Sequence, residues 1–209
     1  MTNSFSIVLA QLNCTVGDID GNTARIIDVC RRARGTLECQ LVVFPELALT
    51  GYPPEDLILK PSFIDAIHTH IDTLVKASKG WKAALLLSTP WRHEGKIYSA
   101  CHLIHGGTII DTIFKHHLPN YDVFDEMRIF EGGPFAEPME FKGKKLGVMI
   151  CEDMWHADVA AHLKSRGAEI FIIPNGSPYE MDKHDVRLNF ARHRVSENSI
   201  PLLYVNQIG

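Results

Sequence analysis

Four short apolar runs in this chain each end on a polar side chain, and that pattern narrows its fold more than any other feature. The run 41–44 (Leu-Val-Val-Phe) is followed by Pro45 and Glu46, and the run 108–114 by Lys115. The run 146–150 is followed by Cys151, and 170–173 leads to Asn175, Gly176 and Ser177. Runs this short and this apolar have the length and composition of buried strands. Between them lie stretches with apolar residues at helical spacing. One is 23–34, with Ala24, Ile27 and Cys30 ahead of a stop at Gly35; another is 62–78, with Ile64, Ile67, Ile71, Leu74 and Val75 inward; 157–166 and 182–198 complete the set. Further strands are expected at 5–12, 83–87 and 202–205, and Gly106-Gly107 predicts a hairpin joining 97–105 to 108–114. Segment 116–138 reads as irregular. Strands alternating with helices predict a single α/β domain over residues 1–209, its sheet carrying one antiparallel hairpin.

At 209 residues the chain accommodates one α/β domain with a full core rather than two. A formal net charge of -4, with no Lys/Arg block, leaves no basic footprint for nucleic acid or a membrane surface. No apolar run approaches the roughly 18 residues that span a bilayer. The opening Met1-Thr-Asn-Ser-Phe-Ser-Ile7 lacks the regions of a signal peptide. The five cysteines (Cys14, Cys30, Cys39, Cys101 and Cys151) are odd in number and widely spaced, which argues against a disulfide framework or a zinc ribbon. They predict a reducing, cytoplasmic setting, in which a thiol stays available for chemistry.

If the carboxyl ends of the strands share an edge, Glu46, Lys115 and Cys151 converge on one crevice, where open α/β sheets keep their ligands. A carboxylate, an ammonium and a thiol suit amide hydrolysis. The thiol needs a base to become the nucleophilic thiolate. A carboxyl screened from water has a raised pKa and can act as base and then as acid. A fixed cation stabilises the oxyanion that forms when the thiolate attacks a carbonyl. Taken singly, Glu46 also fits a loop cap, Lys115 a surface lysine and Cys151 a small core residue; these residues alone leave the substrate open.

The blocks around them resemble a known family. Phe44-Pro-Glu46-Leu-Ala-Leu-Thr-Gly-Tyr52, Lys115-His-His-Leu-Pro119 and Gly147-Val-Met-Ile-Cys151-Glu-Asp153 resemble the nitrilase, or carbon–nitrogen hydrolase, superfamily. Gly51-Tyr-Pro-Pro-Glu-Asp-Leu57, Leu118-Pro-Asn-Tyr-Asp-Val-Phe-Asp-Glu126-Met-Arg-Ile-Phe130 and Cys151-Glu-Asp-Met-Trp155 are similar, more narrowly, to the amino-terminal glutaminase domains of glutamine-dependent NAD synthetases. The resemblance implies an αββα sandwich and a Glu–Lys–Cys triad that hydrolyses the side-chain amide of glutamine through a glutamyl thioester. It makes Glu46 the general base, Lys115 the oxyanion residue and Cys151 the nucleophile. Glu126 becomes a fourth polar member orienting Lys115 or water, although it also fits a solvent-facing loop carboxylate. Tyr52, Tyr121, Ser177 and Lys183 become substrate-binding residues, with Lys183 suited to the glutamine carboxylate.

The same resemblance sets expectations for the surroundings. No cofactor is expected for the glutaminase step; ATP and Mg belong to a synthetase domain. No stretch here resembles the Ser-Gly-Gly-containing pyrophosphate loop of that domain, so a synthetase domain or subunit is expected as partner. The end of the chain, Val205-Asn-Gln-Ile-Gly209, falls short of the usual glutaminase boundary. This predicts a C-terminally shortened sandwich with an uncovered edge or face, and hence a homo-oligomer. Other readings are another amidase or carbamoylase of the superfamily acting on a small amide, and a catalytically silent fragment with a scaffold role. A cysteine–histidine protease using His156 or His193 is disfavoured by the block around Cys151. A metal site is disfavoured because His68-x-His70 and His116-His117 set neighbours on different faces and no H-E-x-x-H occurs.

Overall fold

Strand alternation sorts the apolar side chains into separate layers. Residues 4–36, 39–181 and 183–208 are described in a computed structural model. In β2 (Leu41–Val43) and β3 (Ala84–His93), Leu41, Val43, Ala84 and Leu86 point to one face, while Val42, Leu85 and Leu87 point to the other. In β7 (Lys144–Val148) and β8 (Ile170–Asn175), Leu146, Val148 and Ile172 point toward the first of those faces, and Phe171 and Ile173 away from it. This period of two, apolar on both faces, requires cover on both sides.

The cover is helical outside and sheet-on-sheet inside. The first sheet has the order β1-β2-β3-β4-β5, with β1 (Ile7–Leu9), β4 (Lys96–His105) and β5 (Thr108–Phe114). The second has the order β6-β7-β8-β9, with β6 (Met139–Phe141) and β9 (Leu202–Asn206). Helices α1 (Ile19–Thr36) and α2 (Pro61–Ser78) pack on the outer face of the first sheet. Helices α3 (Ala157–Ser165) and α4 (Lys183–Asn198) pack on the outer face of the second. The layers run α, β, β, α, as the resemblance implied. Proline at the first position of α2 presets its helical φ. Ile64, Ile67, Ile71 and Leu74 then form a fully buried stripe, each side chain stabilising by roughly 1.5–3 kcal/mol on burial.

The single sheet with one hairpin expected from the pattern is replaced by two sheets and three antiparallel pairings: β3 with β4, β4 with β5, and β6 with β7. The β3–β4 turn at Glu94-Gly95 and the β6–β7 turn at Lys142-Gly143 each place both residues at positive φ. Neither is bounded by a simple apolar run, so neither stands out in the sequence. The start of α1 was also hidden. Asp18 accepts a hydrogen bond from Gly21 N at 2.9 Å and caps the helix four residues earlier than expected. Asn22, in the first turns of α1, is a fully buried tie to Thr15 O (2.8 Å) and Leu49 O (3.1 Å). α1 also runs past the stop expected at Gly35. Strand β1 is shorter than 5–12. Asp182, the first residue of the helix expected at 182–198, lies outside the described residues.

Strand direction decides where the functional side chains meet. β1, β2 and β3 are parallel, and β5, two antiparallel steps beyond β3, runs the same way. β7, β8 and β9 are parallel in the second sheet. A backbone bond from Glu46 N to Asn175 O (3.3 Å) joins the end of β2 to the end of β8. The carboxyl ends of β2, β5, β7 and β8 therefore supply one region. Among the described residues no helix is long and apolar enough to cross a membrane.

Candidate active site

The residues just past these strands are buried together. Glu46 and Lys115 are fully buried, and Cys151 and Glu126 are each 3% exposed. Lys115 Nζ donates to Glu46 Oε1 at 2.7 Å and to Glu126 Oε1 and Oε2 at 2.9 and 2.8 Å. Tyr52 donates its hydroxyl to Glu126 Oε1 at 2.9 Å. Glu126 is thus a member of the cluster, not a solvent-facing carboxylate. The turn that carries it is held by Arg128, which pairs with Asp125 at 2.6 Å, with Glu55 at 3.2 Å, and with Asp56.

Two carboxylates and one ammonium leave an excess of negative charge in a buried region. Burial pushes the Glu46 carboxyl up to about 7; the Lys115 ammonium opposes the rise and Glu126 adds to it. Burial alone would lower the Lys115 ammonium, but Glu126 and Glu46 reverse this and hold it well above the ordinary lysine range. Burial, reinforced by Glu46 and opposed by Lys115, keeps the Cys151 thiol well above the ordinary thiol range. Cys151 therefore rests as a neutral thiol beside a carboxyl that titrates near neutrality. Glu46 Oε2 is buried and has no hydrogen-bond partner among the described residues, so one oxygen of the carboxyl is held by Lys115 and the other is unpaired.

The turn that presents Cys151 is unusual. Its φ is 45°, in the left-handed region that non-glycine residues rarely adopt, at a cost on the order of 1–3 kcal/mol. It opens the short 3₁₀ helix Cys151–Trp155. The buried Asp153 carboxylate holds this turn: Oδ2 accepts from Ile150 N at 3.1 Å, and Oδ1 accepts from His116 N (3.1 Å) and His117 N (2.8 Å). One side chain thus ties the residue before Cys151 to the two residues after Lys115. In the sequence Asp153 stands only as part of a motif and carries no expected role. The signal was a second carboxylate two residues past the cysteine.

Ser177 Oγ lies 3.8 Å from Cys151 Sγ, on the loop after β8. Asn206 Nδ2 donates to Ser177 O at 3.1 Å, and Gln207 Nε2 to Tyr52 O at 3.3 Å, so the end of β9 braces both sides of the cluster. Gly176 is a further member that sequence reasoning missed. A Cβ there would stand 2.9 Å from Tyr52 Cγ and 3.1 Å from Glu46 Oε2, so only glycine lets this backbone approach the unpaired carboxylate oxygen.

Tyr121 and Lys183 stand outside the buried cluster. Tyr121 is 45% exposed and donates to Glu152 Oε2 at 2.8 Å. Lys183 pairs with Glu180 at 2.6 Å and lies 5.5 Å from the centre of the Phe124 ring. Lys183 lines a cavity of about 450 Å³ with Tyr52, Asp122, Phe124, Gly176 and Glu180. Tyr52 and Gly176 belong to both the cavity and the buried cluster, and so connect them. The cavity is large enough for an amino-acid-sized ligand, and apolar and charged groups share its wall. The His156 ring stacks on His117 with centroids 3.8 Å apart, and its Nε2 lies 3.3 Å from Glu152 Oε1.

The family model described as carbon–nitrogen hydrolase matches residues 7–209. A glutamine-dependent NAD(+) synthetase from Rhodobacter capsulatus is 42% identical over 210 residues, covering 100% of this chain and 38% of the relative. One from Aquifex aeolicus is 36% identical and covers 98% of this chain and 36% of its own. The solved glutamine-dependent NAD+ synthetase of Acinetobacter baumannii, in complex with ADP, superposes with a TM-score of 0.92 at 32% identity, covering 98% of this chain and 38% of that one. An amidase from Nesterenkonia sp. superposes with a TM-score of 0.84 at 23% identity over 78% of its length, a likeness of fold alone. The chain thus spans less than two fifths of the length of these synthetases.

Proposed function

The chain belongs to the carbon–nitrogen hydrolase family, and on that premise we propose that it hydrolyses the side-chain amide of glutamine with Cys151 as nucleophile. The observation that carries the mechanism is the Glu46 carboxyl, with Oε1 fixed by Lys115, Oε2 unpaired, and a pKa near 7. Glu46 takes the thiol proton and the thiolate attacks the amide carbon. Lys115 supplies a fixed positive charge beside the developing oxyanion. Glu46 passes its proton to the departing nitrogen, which leaves as ammonia and a glutamyl thioester remains. Glu46 then takes a proton from water as it attacks the thioester and returns it to the departing thiolate.

Glutamine as substrate is supported by the similarity to glutamine-dependent NAD synthetases and by the connected cavity with Lys183 on its wall. A free amino acid carries an ammonium and a carboxylate that need partners on desolvation, and Lys183 and Glu180 offer one of each sign. The ammonia would serve a synthetase domain or subunit that makes NAD(+) from deamido-NAD(+), and the glutaminase step needs no cofactor of its own.

Ammonia release from glutamine, asparagine and a simple aliphatic amide, by the chain and by Cys151→Ala, tests the reading. Turnover confined to glutamine and lost in the variant is expected. Turnover of the aliphatic amide alone would turn the assignment toward a general amidase. No turnover on any amide by the folded chain would support a silent scaffold.

A further inference from the structure

A second cavity, of about 630 Å³, shares no lining residue with the 450 Å³ cavity and is lined by His116, His117, His156, Glu152 and Tyr121 among others. Asp158, at the start of α3, reaches its histidines. His116, His117 and Asp158 each offer one ligand atom, and these atoms all lie within 4.8 Å of one another. The expectation that adjacent histidines face apart is therefore corrected. Their rings are nearly perpendicular, at 85° with centroids 4.6 Å apart, yet each brings one nitrogen to the same space, and Asp153 Oδ1 accepts both backbone N–H groups.

We propose that His116, His117 and Asp158 form a binding site for a borderline divalent transition-metal ion of the zinc class. His116 Nδ1 lies 2.7 Å from the carbonyl of Gly133. A carbonyl only accepts, so Nδ1 carries the proton and Nε2 keeps its lone pair, the arrangement found for metal-bound imidazoles. The ring is further fixed by stacking on Phe135 at 4.1 Å. His117 Nε2 lies 3.0 Å from both oxygens of Asp158, so a cation entering there takes a nitrogen and a carboxylate that already face each other. Its ring is held from behind by His156, whose own Nε2 lies 3.3 Å from Glu152 Oε1. Two imidazoles and a carboxylate suit zinc-class ions better than magnesium or calcium, which prefer all-oxygen shells. Three protein ligands leave a coordination position for water. The half-exposed Asp158 side chain supplies the adjustment needed to bring the ligands to bonding distance.

The Cys151 thiol also attracts such ions, so the test is made in the full chain carrying Cys151→Ala. Co²⁺ is titrated by visible absorption and Zn²⁺ by calorimetry. One equivalent is expected to bind, with the absorption of a nitrogen–oxygen site and no intense thiolate band. His117→Ala and Asp158→Asn are each expected to weaken binding at least tenfold, and His70→Ala to leave it unchanged. None of the three positions is fully buried, and circular dichroism checks that the fold is kept. Affinity unchanged in His117→Ala and Asp158→Asn, a thiolate-dominated spectrum, or no binding at millimolar metal would overturn the site.

Discussion

Lys115 Nζ lies 2.7 Å from Glu46 Oε1, both side chains wholly buried, while the second oxygen of the same carboxyl is left unpaired beside Gly176. One contact thus does two things. It fixes the orientation of Glu46, and it moderates a burial cost that would otherwise keep the carboxyl protonated through the neutral range.

Under the proposed mechanism this contact sets the pH dependence of turnover. A general base must be ionised to act, and Glu46 ionises at about 7. The rate is therefore expected to rise with pH through an acid limb centred near 7. Glu46→Gln should lower kcat by roughly 10²–10⁴-fold. A pH series of kcat/KM on the chain and the variant checks both.

Removing the cation should cost more than activity. Lys115→Ala leaves Glu46 and Glu126 facing each other without a counter-charge, and breaking a buried pair from one side destabilises by about 3–5 kcal/mol. Urea unfolding at pH 7.5 should show that loss. Tyr52→Phe removes only one donor to Glu126 and should cost about 1–3 kcal/mol.

Gly176→Ala tests the close approach directly. Its Cβ would fall 2.9 Å from Tyr52 Cγ and 3.1 Å from Glu46 Oε2. The expected outcome is a fall in kcat of at least tenfold, with the unfolding midpoint nearly unchanged if the loop shifts to relieve the contact. The shift itself would misplace Ser177 relative to Cys151.

Much of this was legible in the sequence, and for a clear reason. Glu46, Lys115 and Cys151 each stand just past an apolar strand, and strands with a common direction bring their trailing residues to a common edge. Glu126 was harder to place, because it sits in an irregular segment and only its contacts with Lys115 and Tyr52 show that it is buried. The pairing of Tyr121 with Glu152, the Asp153 clamp and the meeting of His116 and His117 with Asp158 all join residues distant in the chain. No local period reports them. The second sheet was hidden for a similar reason: β6 is three residues long, and its pairing with β7 depends on a two-residue turn at positive φ.

A remote residue offers a check on stability. His102 is fully buried between Trp91 and Thr112, and burial depresses its pKa from an ordinary 6.5 to about 3. The unfolded chain therefore binds a proton in that interval that the folded chain does not, so stability falls as pH drops from about 6.5 toward 3. Glu46 has the opposite sign: its raised pKa makes stability fall as pH rises from 4.5 through about 7. The difference between the chain and His102→Gln isolates the first effect. Urea midpoints at pH 4.5 and 7.5 should show a smaller acid loss in the variant.

The covalent intermediate is the decisive evidence for Cys151 as nucleophile. The chain is quenched in acid during turnover on glutamine, digested, and the peptide bearing Cys151 is weighed. A glutamyl group is expected on Cys151, absent without substrate, together with loss of ammonia release in Cys151→Ala. An unmodified Cys151 peptide, with turnover persisting in Cys151→Ala, would contradict that role.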